Sequence, residues 1–141
     1  MDTTRELRQT LRTHGQSLTS ARQTVFAALQ HQEPLTMREL VARCPGIDRA
    51  SVYRTVTLFE KLGVIERLQT GWKYRLELSG NYHEHHHHAT CLRCGRSLVI
   101  QEDETVERYV ASVASELGFT LTGHQLELQG YCTDCQSKAK V

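Results

Sequence analysis

Four cysteines in two Cys-x-x-Cys pairs constrain this chain more than any other feature. The pairs are Cys91 with Cys94 and Cys132 with Cys135, and residues 95–131 lie between them. Four thiolates can close a tetrahedral zinc site, and a two-residue spacing within each pair is typical of one. Because the pairs are far apart in the sequence, one zinc ion would tie together distant ends of a domain. We therefore predict a small domain held by structural zinc.

A run of histidines, His83-Glu84-His85-His86-His87-His88, lies just before the first cysteine pair. Imidazole and carboxylate ligands suit an exchangeable divalent ion rather than a permanent one. If residues 83–91 form a strand, successive side chains point to opposite faces, so His85 and His87 share one face and His86 and His88 the other. The run therefore predicts two ligand pairs for two metals.

Two further residues near this run are candidate ligands. A helical pattern from Val106 to Leu117 begins beside Glu107, whose alternative role is that of a first-turn acid favoured by the helix dipole. A closing strand, Thr120 to Tyr131, carries His124 among leucines. A lone histidine there is usually a core residue, but the nearby histidine run favours a ligand role.

Charge is unevenly distributed along the 141 residues. Residues 1–80 hold 12 Lys and Arg against 8 Asp and Glu, which gives +4, whereas residues 81–141 hold 5 against 8, which gives −3. Two small domains are compatible with this length. We predict a DNA-binding domain over 1–80 and a metal-binding domain over 81–141.

The first residues, Met1-Asp2-Thr3-Thr4-Arg5-Glu6, are charged and are followed by no long apolar stretch. This pattern predicts neither a signal peptide nor a membrane span, and hence a cytoplasmic protein with no membrane partner. In a reducing compartment, paired cysteines are more often zinc ligands than disulfides. The fifth cysteine, Cys44, follows apolar positions and is expected to be a small packed side chain.

The N-terminal half predicts helices followed by a basic hairpin. Thr19 or Ser20, Thr36 and Asp48 can each cap a helix, and the last helix extends to Leu62. Two alternating segments, Val64–Leu68 and Trp72–Leu76, then flank a turn. Helices followed by such a hairpin are typical of a winged helix.

The last of these helices has a polar outer surface. Its apolar residues fall on one side, which leaves Arg54 and Thr57 facing outward and Tyr53 at the flank. In a winged helix this surface enters the major groove, so we expect Tyr53 and Arg54 to read bases. The cations Arg67, Lys73 and Arg75 on the hairpin favour DNA contact over simple solvation.

One enzymatic alternative has a motif of its own. His83-Glu84-x-x-His87 matches H-E-x-x-H, the helix of zinc-dependent metallopeptidases in which the glutamate is a general base. That motif requires a helix, whereas this run leads into a Cys-x-x-Cys turn. A regulator that is not an enzyme is the favoured interpretation.

Taken together, several motifs resemble the ferric-uptake-regulator (Fur) family. They are Leu18-Thr19-Ser20-Ala21-Arg22, Ser51-Val52-Tyr53-Arg54-Thr55, the histidine run with Cys91-Leu92-Arg93-Cys94-Gly95, and the segment from His124 to Cys132. The resemblance implies an α+β protein with an N-terminal winged-helix DNA-binding domain and a C-terminal α/β dimerisation domain containing structural zinc. It also implies a homodimeric repressor whose metal-bound form binds a palindromic operator in double-stranded DNA.

Carried over by position, the resemblance assigns three metal sites and a DNA surface. The structural Zn2+ ligands are Cys91, Cys94, Cys132 and Cys135. The regulatory ligands are His86 and His88, with Glu66 and His83 as further candidates. The dimerisation-domain ligands are His85, His87, Glu107 and His124. The DNA-binding residues are Ser51, Tyr53, Arg54, Thr57, Arg22 and Lys73. The regulatory metal is Zn2+, Fe2+, Mn2+ or Ni2+, and peroxide sensing within the same family is an alternative.

Overall fold

The computed structural model describes residues 2–31, 33–70 and 72–137. They form two compact units, Met1–Glu84 and His85–Val141. The helices are α1 (Thr3–Thr13), α2 (Ser20–Leu29), α3 (Met37–Ala42), α4 (Arg49–Lys61), α5 (Glu104–Glu116) and α6 (Thr133–Gln136). The strands are β1 (Ile65–Thr70), β2 (Lys73–Leu78), β3 (His86–Cys91), β4 (Ser97–Gln101) and β5 (Glu127–Gly130). None of the helices in the described ranges has the length and apolar character needed to cross a bilayer.

The predicted N-caps of the first unit are present in the structure. Thr19 accepts the backbone N–H of Arg22 and begins α2, and Asp48 accepts that of Ser51 and begins α4. Thr36 begins α3 with a full capping box, because Glu39 also accepts the backbone N–H of Thr36. Local side-chain chemistry therefore fixes where these helices begin.

The first helix, α1, was not predicted. Asp2 caps it by accepting the backbone N–H of Arg5, and Leu7 and Leu11 are fully buried one turn apart. Only these two leucines are buried on its apolar face, so the apolar pattern of the segment is sparse. Its signal was the i, i+4 leucine pair behind an aspartate cap.

Helices α1 to α4 and the β1–β2 hairpin share one core that makes the first unit a winged helix. Val25 and Phe26 of α2 pack with Val52 and Phe59 of α4 in this core. The hairpin is antiparallel and pairs Ile65 with Leu78 and Thr70 with Lys73. A further bridge between Leu35 and Leu76 ties the segment before α3 to β2.

The wing differs from its predicted form in one respect. Trp72, expected to begin the second strand, precedes β2 and lies at the turn. Each strand begins one residue later and ends two residues later than predicted, at Thr70 and Leu78, because pairing runs from Ile65–Leu78 to Thr70–Lys73. As a result Trp72 is displayed at the tip of the wing.

The first compact unit extends to Glu84. Tyr82 is buried and packs edge-on against Phe26, with ring centroids 5.5 Å apart. Its hydroxyl also shares a 2.9 Å hydrogen bond with Thr10 Oγ1. These contacts hold the chain after β2 against α1 and α2.

The second unit is a three-stranded sheet with α5 and α6. Strand β3 lies in the centre, antiparallel to β4 and parallel to β5. The predicted closing strand was too long, since β5 covers only Glu127–Gly130. In the parallel pair Glu127 lies opposite His88, and β3 begins only two residues earlier, at His86. Residues before 125 therefore have no residue of β3 opposite them.

Candidate metal centres and nucleic-acid interface

The structure brings the four paired cysteines into one cluster. Cys91 ends β3, Cys94 lies in the following turn, and Cys132 and Cys135 lie at the start and within α6. Their sulfur atoms all fall within 4.8 Å of one another, and Cys94 Sγ is 3.8 Å from Cys132 Sγ. A zinc–sulfur distance of about 2.3 Å gives tetrahedron edges of about 3.8 Å. The cluster therefore fits a tetrahedral zinc ion.

The thiols of this cluster differ in acidity. Burial opposes ionisation of Cys91, but backbone hydrogen bonds from Cys132, Cys94 and Arg93 outweigh it and lower the pKa of Cys91 to about 6. Burial, together with hydrogen bonds to the neighbouring thiols, raises the pKa of Cys135 to about 12. The same cluster thus favours ionisation of one thiol and opposes that of another. A divalent cation removes this conflict because it stabilises all four thiolates.

A second cluster combines three imidazoles with one carboxylate. Glu107 Oε1 lies 2.7 Å from His87 Nε2 and 3.2 Å from His85 Nε2, and Glu107 Oε2 lies 2.7 Å from His124 Nε2. His87 is only 3% exposed, so the cluster is anchored in the interior of the second unit. The hydrogen bond from His87 is the main cause that lowers the pKa of Glu107, and the other two imidazoles add to it. Three nitrogens and one oxygen form a donor set that suits a first-row divalent metal.

The remaining two histidines of the run form a separate pair. His86 Nε2 and His88 Nε2 lie 3.1 Å apart, and their rings are nearly perpendicular. Both belong to β3 and share one face, since they are two residues apart. Two nitrogens about 2.1 Å from one ion in a tetrahedral site lie about 3.4 Å apart, so this spacing suits two ligands of a shared ion. The structure divides the four histidines as alternation predicts.

The first unit contains a candidate ligand that the sequence did not reveal. Glu77 of β2 is buried, and its carboxylate lies within 4.8 Å of a ring nitrogen of His83. Its neighbours Leu76 and Leu78 are also buried, so alternation alone would place Glu77 in solvent. Glu66, predicted as a ligand, is exposed on β1 and pairs with Glu77 across the hairpin.

The predicted DNA-reading residues lie on the outer surface of α4. Tyr53, Arg54 and Thr57 are exposed, and Ser51 is half-buried in the first turn. Ser51 Oγ donates to Asp48 Oδ1 at 2.6 Å and accepts from Arg54 Nη2 at 2.9 Å. This chain of hydrogen bonds holds the guanidinium of Arg54 in a defined orientation before any ligand arrives.

Two of the hairpin cations are already engaged within the first unit, which corrects the expectation that all three face DNA. Arg67 makes two hydrogen bonds to the carboxylate of Glu60 and stacks over the ring of Tyr74 at 4.2 Å. Arg75 pairs with Glu39 at 2.8 Å. Both ion pairs join the wing to a helix, so these arginines hold the hairpin in position. Lys73 makes no ion pair with a carboxylate in the described residues.

Arg22, also predicted to contact DNA, lies in the first turn of α2 and is half-buried. Its guanidinium donates to the backbone carbonyl of Ser17 and so closes the connection between α1 and α2. One nitrogen of the Arg22 guanidinium, predicted to contact DNA, therefore already donates a hydrogen bond within the unit.

Comparison with known proteins identifies the family. The model of the "Ferric uptake regulator family" matches residues 13–129. The chain is 34% identical to the ferric uptake regulation protein of Campylobacter upsaliensis over 96% of its own length and 90% of the relative's. It is 35% identical to that of Campylobacter jejuni over 93% and 87%.

The chain belongs to the ferric uptake regulator family.

Solved structures of Fur proteins share the fold. The Helicobacter pylori ferric uptake regulator superposes with a TM-score of 0.73 at 25% identity, over 95% of this chain and 91% of that one. The Vibrio cholerae regulator gives a TM-score of 0.65 at 28% identity, over 89% and 98%. Members of the Fur family are metal-responsive transcription regulators, and this chain is one of them.

The peptidase alternative loses its structural basis in this Fur-family chain. Residues 83–85 are not helical, and His86 and His87 belong to strand β3. H-E-x-x-H places two histidines one helical turn apart, and that geometry requires the helix. Instead, His87 contacts Glu107 of α5.

Proposed function

We propose that this Fur-family protein is a homodimeric repressor with a permanent zinc ion and an exchangeable regulatory metal. The cysteine cluster holds the zinc, and a metal at His86 and His88 favours binding of a palindromic operator. One observation carries the proposal: a single strand, β3, ends at the sulfur ligand Cys91, carries His86 and His88 on one face and carries His87 of the Glu107 cluster on the other.

The donor chemistry supports different residence times for the metals. Thiolates bind zinc as a closed tetrahedral site, whereas nitrogen and oxygen ligands accept zinc, iron, manganese or nickel. The Helicobacter pylori regulator has three functional metal-binding sites. The present chain has a matching number of donor sets in the cysteine cluster, the Glu107 cluster and the pair His86–His88.

A regulatory metal can act only through differential affinity. It shifts the protein toward the DNA-binding conformation by the difference between its affinities for the two conformations. Glu66 and His83 stay candidate ligands from the first unit, and the buried carboxylate of Glu77 joins them. Ligands from the first unit would make the winged helix sensitive to metal occupancy.

For DNA recognition we assign different roles to the outer side chains of the first unit. Tyr53 and Arg54 on α4 are placed to read base edges in the major groove. Ser51 and Thr57 on the same helix, Arg22 on α2 and Lys73 on the wing are phosphate contacts. The +4 charge of residues 1–80 supports these assigned contacts with DNA.

The dimer is proposed from the surface of the second unit. Tyr109, Leu117, Phe119 and Leu128 are each more than half exposed. Exposed apolar side chains on this scale mark an interaction surface, and a second copy of the chain is the partner that a palindromic operator requires. The function assigned here is regulatory, cytoplasmic and not enzymatic.

Paired double variants test the regulatory role. An operator is first selected from random duplexes with metal-loaded protein, and its affinity is then titrated against Zn2+, Mn2+, Ni2+ and, without oxygen, Fe2+. His86→Ala with His88→Ala should abolish the metal response, at least a tenfold loss of operator affinity, while the cysteine-bound zinc remains. His85→Ala with His87→Ala should retain a response and mainly destabilise the second unit.

His14→Ala is a control, because this exposed histidine lies outside all proposed sites. This control should respond to metal like the unaltered protein. Equal loss of metal response in the two test variants would show that the two faces of β3 do not serve separate sites. Metal-independent operator binding by the unaltered protein would contradict the proposed function as a whole.

A further inference from the structure

The tip of the wing displays a side chain that folding does not explain. Trp72 is 86% exposed, more than any other large hydrophobic residue of the described chain. It is also the sole tryptophan of the protein. Burial of an aromatic side chain stabilises a folded protein, and Trp72 gains almost none of this stabilisation in the free protein. Such a residue at the end of a hairpin is suited to contacting a partner.

The chemistry beside Trp72 indicates what that partner is. The Lys73 ammonium lies 5.3 Å from the centre of the indole ring, so the wing tip combines an aromatic surface with a positive charge. Arg67 and Arg75 are held by Glu60 and Glu39, which leaves Lys73 as the wing cation not paired with a carboxylate among the described residues. An aromatic ring with an adjacent cation is a combination by which proteins contact nucleic acid, since the ring packs against a nucleotide and the cation meets a phosphate.

The dimensions of the first unit agree with this partner. The six-residue strands of the wing extend about 20 Å, at about 3.4 Å per residue. On B-DNA, a helical turn of about 34 Å separates one major-groove segment from the next, so the adjacent minor groove lies about 17 Å away. With α4 in the major groove, the wing is long enough for its tip to reach that minor groove.

We propose that Trp72 and Lys73 form a second DNA contact, in the minor groove that flanks the segment read by α4. This inference rests on the proposed function and adds a residue to it. The indole packs against sugars and base edges, and the ammonium contacts a phosphate. The minor groove is about 6 Å wide, and where it narrows its negative potential increases and attracts a cation. Apolar side chains also insert into this groove in other proteins.

The fluorescence of the sole tryptophan reports directly on this contact. Metal-loaded full-length protein is titrated with operator duplex, and binding is followed independently by the anisotropy of labelled DNA. The emission of Trp72 should be quenched or shifted to shorter wavelength in proportion to the bound fraction. Shortening the operator flanks so that the minor groove is removed should abolish the change in emission.

Three variants separate the parts of the contact. Trp72→Ala should weaken operator affinity about tenfold, in the range measured for removal of one stacking aromatic, and Trp72→Phe should restore most of it. Lys73→Gln should lower the slope of log affinity against log salt by about one per subunit, while Trp72→Ala leaves that slope unchanged. Because both side chains are exposed, the variants should unfold like the unaltered protein.

The outcomes distinguish this inference from the proposed function. If anisotropy reports saturated binding while Trp72 emission stays unchanged, the wing-tip contact is wrong and operator binding stands. Emission that depends on protein concentration without DNA would place Trp72 in a protein interface and would also overturn the inference. Absence of any operator binding by anisotropy would remove the proposed function itself.

Discussion

In the described part of the first unit, 17 buried side chains from Leu7 to Tyr82 pack into one apolar core. In the described part of the second unit, the buried nonpolar residues are only Cys91, Ala114 and Cys135. Two of these three are proposed zinc ligands. The first unit is thus stabilised mainly by burial of hydrocarbon, whereas the second depends on polar clusters and exposes its large apolar side chains.

This difference shows how two small units in one chain can respond differently to their surroundings. A unit held by hydrocarbon keeps its structure when metal is removed. A unit held by thiolates and imidazoles depends on metal supply, since a bound metal contributes to folding free energy only while it is present. In the proposed function, the base-reading side chains and the cysteine-bound zinc therefore lie in parts of the chain with separate sources of stability.

The largest expected effect comes from the cysteine cluster. Cys91→Ser should release zinc, unfold the second unit and abolish dimers, because structural zinc contributes on the order of 10 kcal/mol. Amides of α2 and α4 should stay protected in hydrogen exchange, since their core lies in the other unit. Zinc content, sedimentation and exchange mass spectrometry measure the three effects.

Cys44→Ala is the matched control for this change. Cys44 is fully buried in the first unit, and burial raises the pKa of its thiol. Its loss should cost about 1 kcal/mol in the first unit and leave zinc and dimers unaffected. A folded, dimeric and zinc-free Cys91→Ser protein would contradict the contrast between the two units.

The reciprocal change is Phe26→Ala in the first core. Phe26 is 2% exposed and contacts Tyr82, so its truncation should lower the free energy of unfolding of the first unit by about 3 to 5 kcal/mol. Zinc content should not change. Calorimetry with and without a chelator separates the two unfolding transitions.

Phe119→Ala is the same truncation at a side chain that is 70% exposed in the second unit. It should leave unfolding of the first unit unchanged. If Phe26→Ala released zinc as readily as Cys91→Ser does, the two units would not have independent stability.

The smallest expected effect is a dependence on pH within the first unit. Burial opposes ionisation of Glu39, but hydrogen bonds from Thr36 and the charge of Arg75 outweigh it, so its pKa is lowered. A lowered pKa in the folded state stabilises the protein above the unfolded value of about 4.3, and this contribution is lost as pH falls through the folded value. Glu39→Gln should therefore flatten the loss of stability of the first unit in acid.

Denaturant unfolding of the first unit between pH 6 and pH 3 measures this slope. Glu102→Gln, at an exposed carboxylate of the second unit, is the control and should leave the slope as it is. An unchanged slope in Glu39→Gln would mean that the pair with Arg75 contributes nothing to acid sensitivity.

Features that depend on neighbouring residues could be predicted from the sequence. The caps Thr36 and Asp48 follow from local hydrogen bonding, and the division of the histidine run follows from the two-residue period of a strand. The residues that make up each of these two signals are close together in the sequence, so both features could be predicted without the fold. The family resemblance, now confirmed, added the grouping of distant ligands.

Features that depend on distant partners could not be predicted in this way. Arg67 and Arg75 seemed to be free cations because Glu60 and Glu39 lie on other elements of the unit. Alternation would place Glu77 in solvent, and it fails here because Leu76, Glu77 and Leu78 are all buried. Strand β5 seemed longer because its length is limited by where β3 begins.

The position of Cys91 at the end of β3 gives the cysteine cluster a role in alignment as well as in stability. A slip of β3 by one residue would move every side chain to the opposite face. In a run of four histidines, such a slip could put His86 and His88 where His85 and His87 now stand, and Ala89 into the other site. The imidazoles alone would therefore specify the register of β3 only weakly. Cys91 cannot shift without leaving the other three sulfur atoms, so a zinc ion at the end of the strand fixes which histidine serves which metal.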